Sequence, residues 1–341
     1  MRAVVLVGGL GTRLRPLTLR TPKQMLPVAG RPMIEHVVAH LADHDVDEVV
    51  LSLAYRPDAF KASYPDASCA GVRLVYAVEP EPLDTAGAIR FAAANAGIDE
   101  RFLVVNGDVL SDLDLSALLS FHDDAHRRGG AEASIQLVGV DDPSPYGAVS
   151  TEAGGRVSAF VEKPPVGEAP AAVNAGYYVL EPQVLDRIPE GQRVNIERET
   201  FPAMVAEGVL YATTGKGWWI DVGTPERYLQ ASLALVDRHP DGSGVVADSA
   251  MVATTASVTR SVLGPGCRIG RNARVEESVV FSRAVIGNGA TIRRSVIGAS
   301  AVVGDAATVT DVSVLGTGVE VDGGAHLAGE LLPGPDAWPS G

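Results

Sequence analysis

The sequence predicts a two-part α/β protein: a Rossmann-like mixed, mostly parallel sheet covered by helices, followed by a parallel β-helix. Three observations carry that reading. Apolar strand-like runs alternate with helical patterns over the first two-thirds of the 341 residues. A glycine-rich stretch, Gly8-Gly9-Leu10-Gly11-Thr12-Arg13, stands where the first of those strands ends, and the last third repeats aliphatic-glycine pairs at hexapeptide spacing.

Arg2 to Val7 is a short β-branched run, the pattern of a strand buried on both faces. Further strands are expected at Val46 to Leu53, Val72 to Val78, Phe102 to Val105 and Ala133 to Val140. Helical patterns fill Met33 to Ala42, Ala86 to Asn95 and Leu115 to Arg127. Strict alternation of the two implies parallel strands joined by crossover helices. Tyr146 to Val161, interrupted by Gly154-Gly155, reads instead as a hairpin. Thr224-Pro225-Glu226 has the order N-cap, first-turn proline, early acid, so a helix should run to about Arg238. His239-Pro240-Asp241-Gly242-Ser243-Gly244 then breaks it. The expected division is 1–239, a linker at 240–244, and 245–335.

Beyond that break come Leu263-Gly264, Ile269-Gly270, Ile286-Gly287, Ile297-Gly298, Val303-Gly304 and Leu315-Gly316, many of them six apart. Ser-Val recurs at Ser261, Ser278, Ser295 and Ser313, at intervals of 17, 17 and 18. Three hexapeptides make one triangular coil, with one aliphatic residue in six pointing inward and stacking on its equivalent in the next coil.

The formal net charge of −14 opposes binding to nucleic acid or to an anionic membrane, because phosphate polymers would be repelled over most of the surface. Only Cys69 and Cys267 are present, far apart in sequence, which fits neither a disulfide framework nor a cysteine zinc site. A reducing cytoplasm suits that usage. No signal-peptide pattern opens the chain, and no apolar run approaches the roughly 18 residues a membrane span requires. The histidines show no metal-like spacing beyond His36, His40 and His44, which share one helical face and read as a polar stripe.

The amino-terminal glycines determine what chemistry is expected. Without a Cβ, Gly8, Gly9 and Gly11 let the backbone take positive φ and bring N–H groups against phosphate oxygens. Arg13 and Lys23 supply charge, the first as a planar fork and the second as a mobile point. A P-loop is excluded because no Gly-Lys pair follows at the required spacing, and the dinucleotide fingerprint lacks its third glycine. The string GGLGTRLRPLT with PKQMLPVAGRPMIEH resembles the opening signature of the sugar nucleotidyltransferases, and is closest to the mannose-1-phosphate guanylyltransferase branch. Four further stretches, in the family's order, extend the likeness over most of the chain.

That resemblance implies a nucleotidyltransferase domain followed by a left-handed parallel β-helix, with GTP and mannose 1-phosphate as leading substrates and Mg²⁺ as the ion. Gly8, Gly9, Gly11, Thr12, Arg13 and Lys23 would hold the nucleotide's phosphates. Leu83-Asp84-Thr85-Ala86-Gly87 would face the base through Asp84, Thr85 and Gly87. Asp84 stands where the related enzymes usually carry glycine, and it reads either as an acceptor for guanine or as an N-cap. Asp108, after the strand ending at Val105, and Asp221, in Trp218-Trp219-Ile220-Asp221, would ligate the metal. Gly147, Glu162, Lys163 and Asn174 would meet the sugar phosphate, and Arg13, Lys23, Asp108 and Lys163 would serve catalysis. An acyltransferase also uses hexapeptide coils but generally needs a histidine within them, whereas this chain has only His326 beyond the break. A silent regulatory subunit is disfavoured by the retained Arg13, Lys23, Asp108 and Asp221. The β-helix's open end leaves unpaired backbone to be covered, so a homo-oligomer is expected.

Overall fold

A computed structural model describes residues 1–167, 170, 172–238 and 244–339. The chain forms two compact units, one of Met1–Gly9 with Ile34–Trp219 and one of Leu10–Met33 with Ile220–Gly341. The expected linker falls mainly on 240–243, outside the described residues, and Gly244 opens the short strand Gly244–Val246.

The first unit is built on one sheet. Strand β1 (Arg2–Leu6) lies between β2 (Glu48–Leu53) and β4 (Phe102–Asn106), parallel to both, and β3 (Val72–Val78) continues the parallel half beyond β2. Ala3, Val4 and Val5 are wholly buried, as a run without alternation demands. The crossover helices include α1 (Met33–Ala42), α2 (Pro57–Ser63), α3 (Asp84–Ala96) and α4 (Leu115–Gly129). Ala86, Ala92 and Ala93 of α3 are fully buried beside Val4, Val50 and Val104, so small side chains let this helix lie close to the sheet. Strand β5 (Ala133–Gly139) and the hairpin of β6 (Gly147–Thr151) and β7 (Val157–Glu162) follow, the hairpin as expected.

The sheet reverses direction at a strand the sequence reading did not assign. Strand β8 (Ala172–Leu180) is antiparallel to β4, β5 and β6, and is buried from Val173 to Leu180. Its pairing with β5 slips between Asn174 and Tyr178. The slip coincides with Gly176, whose φ is +78° and whose Cβ would stand 2.7 Å from Asn106 Nδ2. A π-helical turn (Ile196–Thr200), helix α5 (Phe201–Glu207) and strand β9 (Leu210–Thr214), parallel to β5, complete the unit.

The second unit is the parallel β-helix with helix α6 (Pro225–Asp237) and the loop segment Leu10–Met33. Thr224 caps α6 by accepting from Arg227 N at 3.3 Å. The coils stack in three parallel sheets, with registers such as Val262↔Val279 and Val296↔Val314 that reproduce the 17- and 18-residue periods. Leu263, Ile269, Val275, Val280, Ile286, Ile292, Ile297, Val303, Val309 and Leu315 fill the axis. The corners turn through left-handed backbone at equivalent positions, for instance Arg260, Glu277 and Arg294, with Asp311 and Val312 sharing the task where the period lengthens by one. Ser261, Ser278, Ser295 and Ser313 are wholly buried. Ser278 Oγ donates to Glu276 O at 2.7 Å and accepts Ser295 N at 3.1 Å, and Ser261 stands in the same relation to Ser278, so the serine repeat is a hydrogen-bonded ladder. Arg260 joins α6 to the coils by a two-pronged pair with Asp237, at 2.7 and 2.6 Å, and a third contact to Glu277.

Candidate active site

The glycine stretch divides between the two units, with Gly8 and Gly9 in the first and Gly11 in the second. In the first unit, Gly8 follows β1 with its absent Cβ 3.3 Å from Ala54 Cβ, while Gly9 is exposed with open space around it. Neither has positive φ. Only Gly11, in the second unit, adopts the left-handed conformation expected of all three, at φ +63°. Its α-hydrogen faces Thr18 and Lys23, where a Cβ would stand 3.0 and 3.1 Å from their side chains, and Gly11 O accepts Thr18 Oγ1 at 2.7 Å. The physical need at Gly8 is therefore close approach, and at Gly11 it is backbone sign.

Lys23 is 5% exposed, lying in the single helical turn Lys23–Met25. Arg13 is exposed, and its guanidinium packs over Gly223, where any Cβ would come within 3.0 Å of Nη2. Gly223 follows Asp221 by two residues, so the second unit sets Arg13, Lys23, Thr12 and Asp221 on the loop segment and on the lead-in to α6.

The first unit places Asp108 two residues beyond Asn106, and Gly8 two beyond Leu6, with Leu6 and Asn106 directly paired in parallel register. Both thus emerge at the carboxyl ends of adjacent strands, the usual ligand position in open α/β sheets. Gly107 makes that turn possible, because its N donates to Leu6 O at 2.9 Å and a Cβ would stand 2.7 Å from Val7 Cγ1. Carboxylates such as Asp108 and Asp221 are hard oxygen donors of the kind a divalent cation accepts.

Asp84 is not an N-cap in the expected sense. It is the first residue of α3, at φ +60°, and no side chain caps the helix. Its Oδ1 accepts Thr85 N at 2.8 Å and Asn195 Nδ2 at 2.9 Å, and Oδ2 lies 3.8 Å from Arg193 Nε. The left-handed backbone explains why glycine suits this position, and the bonds to Asn195 and Thr85 show what holds an aspartate there. Thr85 Oγ1 accepts Ile196 N at 2.8 Å, while the N–H groups of Ala86 and Gly87 both point at Val194 O. The loop 192–196 is thereby clamped onto the first turn of α3.

The hairpin and β8 gather the four sugar-phosphate candidates. Gly147 pairs with Glu162 in register, and Ala148 with Val173 on the other side. A Cβ at Gly147 would lie 2.7 Å from Phe160 Cζ and 3.2 Å from Glu162 Oε2, so glycine keeps that carboxylate accessible. Lys163, in left-handed backbone at the strand's end, brings Nζ to 3.3 Å from Glu162 Oε1. Asn174 is 7% exposed: Nδ2 donates to Glu197 Oε1 at 2.7 Å and to Tyr178 OH at 2.9 Å, and Oδ1 accepts Gly176 N at 2.9 Å.

Glu197 is the residue the sequence reading missed. Burial, and next the neighbouring Glu162 carboxylate, push its carboxyl up to about 7, opposed by Asn174, Lys163 and Arg198. Its local sequence, Asn195-Ile196-Glu197-Arg198-Glu199, marks a helix start through Asn195, which accepts the N–H groups of Glu197 and Arg198. Nothing in that string separates Glu197 from Glu199; the contact with Asn174, 23 residues earlier, does.

His36, His40 and His44 do not gather into a metal-ligating group among the described residues; the one group of three such ligands there is His122, His126 and Glu181. His122 and His126 are four apart on α4, a spacing the sequence reading passed over. Glu181 Oε1 accepts both Arg101 Nε at 2.7 Å and His122 Nε2 at 3.1 Å, and the His122 Nδ1 and His126 Nδ1 atoms pair with Ser134 and Ala131. A guanidinium bonded to the group's one carboxylate opposes a cation there, and burial lowers the His122 pKa, which favours its neutral imidazole.

The family model described as Nucleotidyl transferase matches residues 2–238. The chain belongs to the nucleotidyl transferase family. A second model, EIF2B subunit epsilon LbH domain, matches residues 233–327, in agreement with the left-handed form of the β-helix. Among curated relatives of this nucleotidyl transferase, a mannose-1-phosphate guanylyltransferase of Mycobacterium tuberculosis is 42% identical over 282 residues, covering 79% of this chain and 76% of the relative. Mannose-1-phosphate guanylyltransferase 1 of Arabidopsis thaliana is 40% identical over 79% of this chain and 75% of the relative. A solved structure of HddC from Yersinia pseudotuberculosis, complexed with GMP-PN, aligns with a TM-score of 0.59 at 29% identity, over 69% of this chain and 99% of that one. Enzymes of this family generally use a divalent metal ion. None of the described helices is long and apolar enough to cross a membrane.

Proposed function

We propose that this enzyme is a mannose-1-phosphate guanylyltransferase: an oxygen of mannose 1-phosphate attacks the α-phosphorus of GTP, giving GDP-mannose and pyrophosphate. The observation that carries this reading is the identity of about 40%, over nearly four-fifths of the chain, to relatives bearing that name. The donor set supports it, since the chain offers cations on a glycine loop, strand-end carboxylates and a polar hairpin.

In this reading Gly8, Gly9, Gly11 and Thr12 bring backbone groups to the phosphates, and Arg13 and Lys23 hold the departing pyrophosphate. Lys163 offsets repulsion between the two anions. The attacking phosphate is already ionised near neutrality, so a general base has little to add, and positioning with charge stabilisation supplies the acceleration. Asp108 and Asp221 would hold Mg²⁺, which when bound neutralises phosphate charge. Asp84, Thr85 and Gly87 belong to the base-facing element, while Gly147, Glu162, Lys163 and Asn174 belong to the sugar-phosphate element. A cytoplasmic homo-oligomer, divided functionally as 1–239 and 245–335, completes the proposal.

The test is a matrix of GTP, ATP, UTP, CTP and dTTP against mannose, glucose and other hexose 1-phosphates, read as pyrophosphate release. The highest kcat/KM is expected for GTP with mannose 1-phosphate, and a different winning pair would replace this assignment. Repeating the nucleotide series with Asp84→Gly separates a base-reading aspartate, whose loss reorders the bases, from one that holds the loop.

A further inference from the structure

The loop segment that carries Arg13 and Lys23 belongs to the same unit as the β-helix, and the last described residues of the chain touch it. After the final coil strand (Leu331–Leu332) the chain turns back through a single helical turn, Pro335–Ala337. Trp338 closes that turn twice: its backbone N–H donates to Pro335 O at 3.0 Å and its indole Nε1 to Pro333 O at 2.8 Å. Trp338 is half-buried while Pro335, Asp336, Ala337 and Pro339 around it are exposed, so the indole anchors this hook.

The hook ends on Arg15. Pro339 O accepts Arg15 Nη1 at 3.0 Å, across 324 residues of sequence. Pro16, the next residue, is buried against a coil corner, where a Cβ on Gly316 would stand 3.1 Å from both Pro16 Cβ and Pro333 Cδ. Arg15 in turn closes the helical turn Thr12–Leu14 that presents Arg13, its backbone N–H donating to Thr12 O at 3.2 Å. A carbonyl acceptor orients a guanidinium without cancelling its charge, as a carboxylate would, so the loop keeps its positive charge for an anion.

We propose that the hook at 334–339 is a strap for the phosphate-binding loop, with Arg15 and Trp338 as positioning residues that hold Arg13 in place for the nucleotide. This rests on the guanylyltransferase reading above, in which Arg13 holds the departing pyrophosphate, and adds to it a contribution from the last coil of the β-helix. Arg13 is then fixed at two points, by its guanidinium over Gly223 and by its backbone through Arg15. Without the second restraint an exposed loop has to be ordered by the ligand, which weakens binding, and a cation misplaced by about 1 Å can cost on the order of 10²-fold in rate.

Three variants test the strap: Trp338→Ala, a chain ending at Pro335, and Arg15→Ala, each alone and the last two combined. Titration calorimetry with GTP in the presence of Mg²⁺ reads the loop without any sugar, and steady-state kinetics follows. Trp338→Ala and the shortened chain should weaken GTP binding and raise KM for GTP on the order of 10-fold, the scale of one hydrogen bond from a charged donor, while KM for the sugar 1-phosphate stays put. Combining the shortened chain with Arg15→Ala should cost no more than Arg15→Ala alone, because both break one restraint. Far-ultraviolet circular dichroism checks the fold, and Trp338→Ala, which keeps the chain at full length, decides the matter if the shortened chain misfolds. Unchanged or tighter GTP binding overturns the proposal, and a lower Tm beside it marks the hook as a cap on the β-helix. Losses that multiply in the combined variant overturn it too, since the tail would then act by a route other than Arg15. If Arg13→Ala binds GTP as the wild type does, or the wild type releases no pyrophosphate from GTP with any sugar 1-phosphate, the reading beneath fails and this inference falls with it.

Discussion

Gly87→Ala sets two physical effects against each other at a site where their signs differ. Gly87 lies inside α3, and intrinsic helix propensity favours alanine there by about 1 kcal/mol. The tertiary setting opposes it, because the added Cβ would stand 2.4 Å from Gln192 O and 2.9 Å from Leu83 Cβ. Backbone oxygen cannot swing aside as a flexible side chain can, so relief requires the loop 192–194 to move outward by most of an ångström. That motion loosens the hydrogen bonds of Ala86 and Gly87 N–H to Val194 O, at 2.9 and 3.3 Å, and of Val194 N to Leu83 O, at 3.1 Å. At about 1 kcal/mol each, losing two or three of them outweighs the propensity gain. The expected net loss is about 1–2 kcal/mol, or a Tm lower by several degrees for a unit of this size. Thermal denaturation followed by circular dichroism reads it, and kinetics should show a raised KM for the nucleotide, since the same loop carries the Thr85 and Asp84 contacts. Equal or greater stability of Gly87→Ala would refute the clamp and leave helix propensity as the dominant effect.

Lys23→Ala should fold with an unchanged far-ultraviolet spectrum and lose on the order of 10²- to 10³-fold in kcat, the usual loss for one charged donor at a developing charge; near-wild-type turnover removes Lys23 from the machinery. Glu197 should make wild-type stability depend on pH in a sense opposite to that of a salt-bridged acid. Its folded pKa of about 7 lies above the ordinary 4.5, so the stability of the unligated protein falls as pH rises from 4.5 through 7 and then levels. Glu197→Gln should remove that slope, with an advantage on the order of 3 kcal/mol at pH 8 and none near pH 4 in urea titrations; parallel curves for the two proteins would contradict it. In the β-helix, Ser278→Ala strands the buried Ser295 N, while Glu276 O keeps the Arg294 N–H, so the coils should be destabilised by roughly 1–2 kcal/mol. A shift of under half a kcal/mol would mean the ladder adds nothing to coil stability.

Local pattern determined most of the framework. Periodicity alone gives α1, β3 and the 17-residue coil within a residue or so, because each of these elements satisfies its burial from one face or one axis that sequence spacing encodes. The helix at Thr224 was legible for the same reason: a cap, a proline and an acid act within four residues. Strand β8 was not legible as a strand, since burial on both faces removes alternation and Gly176 interrupts the run. Chemistry divided in the same way. The glycine loop, its two cations and the strand-end position of Asp108 follow from order along the chain. Whether a given glycine serves backbone sign, as at Gly11, or close approach, as at Gly8 and Gly107, depends on neighbours that the local sequence does not name, such as Lys23 for Gly11, Ala54 for Gly8 and Leu6 for Gly107. Asp84, with its left-handed backbone and its bonds to Asn195, belongs to that second class. So does the bond between Asn174 and Glu197, because a hydrogen bond between residues 23 apart in sequence forms only once β8 and the 195–197 turn are packed together.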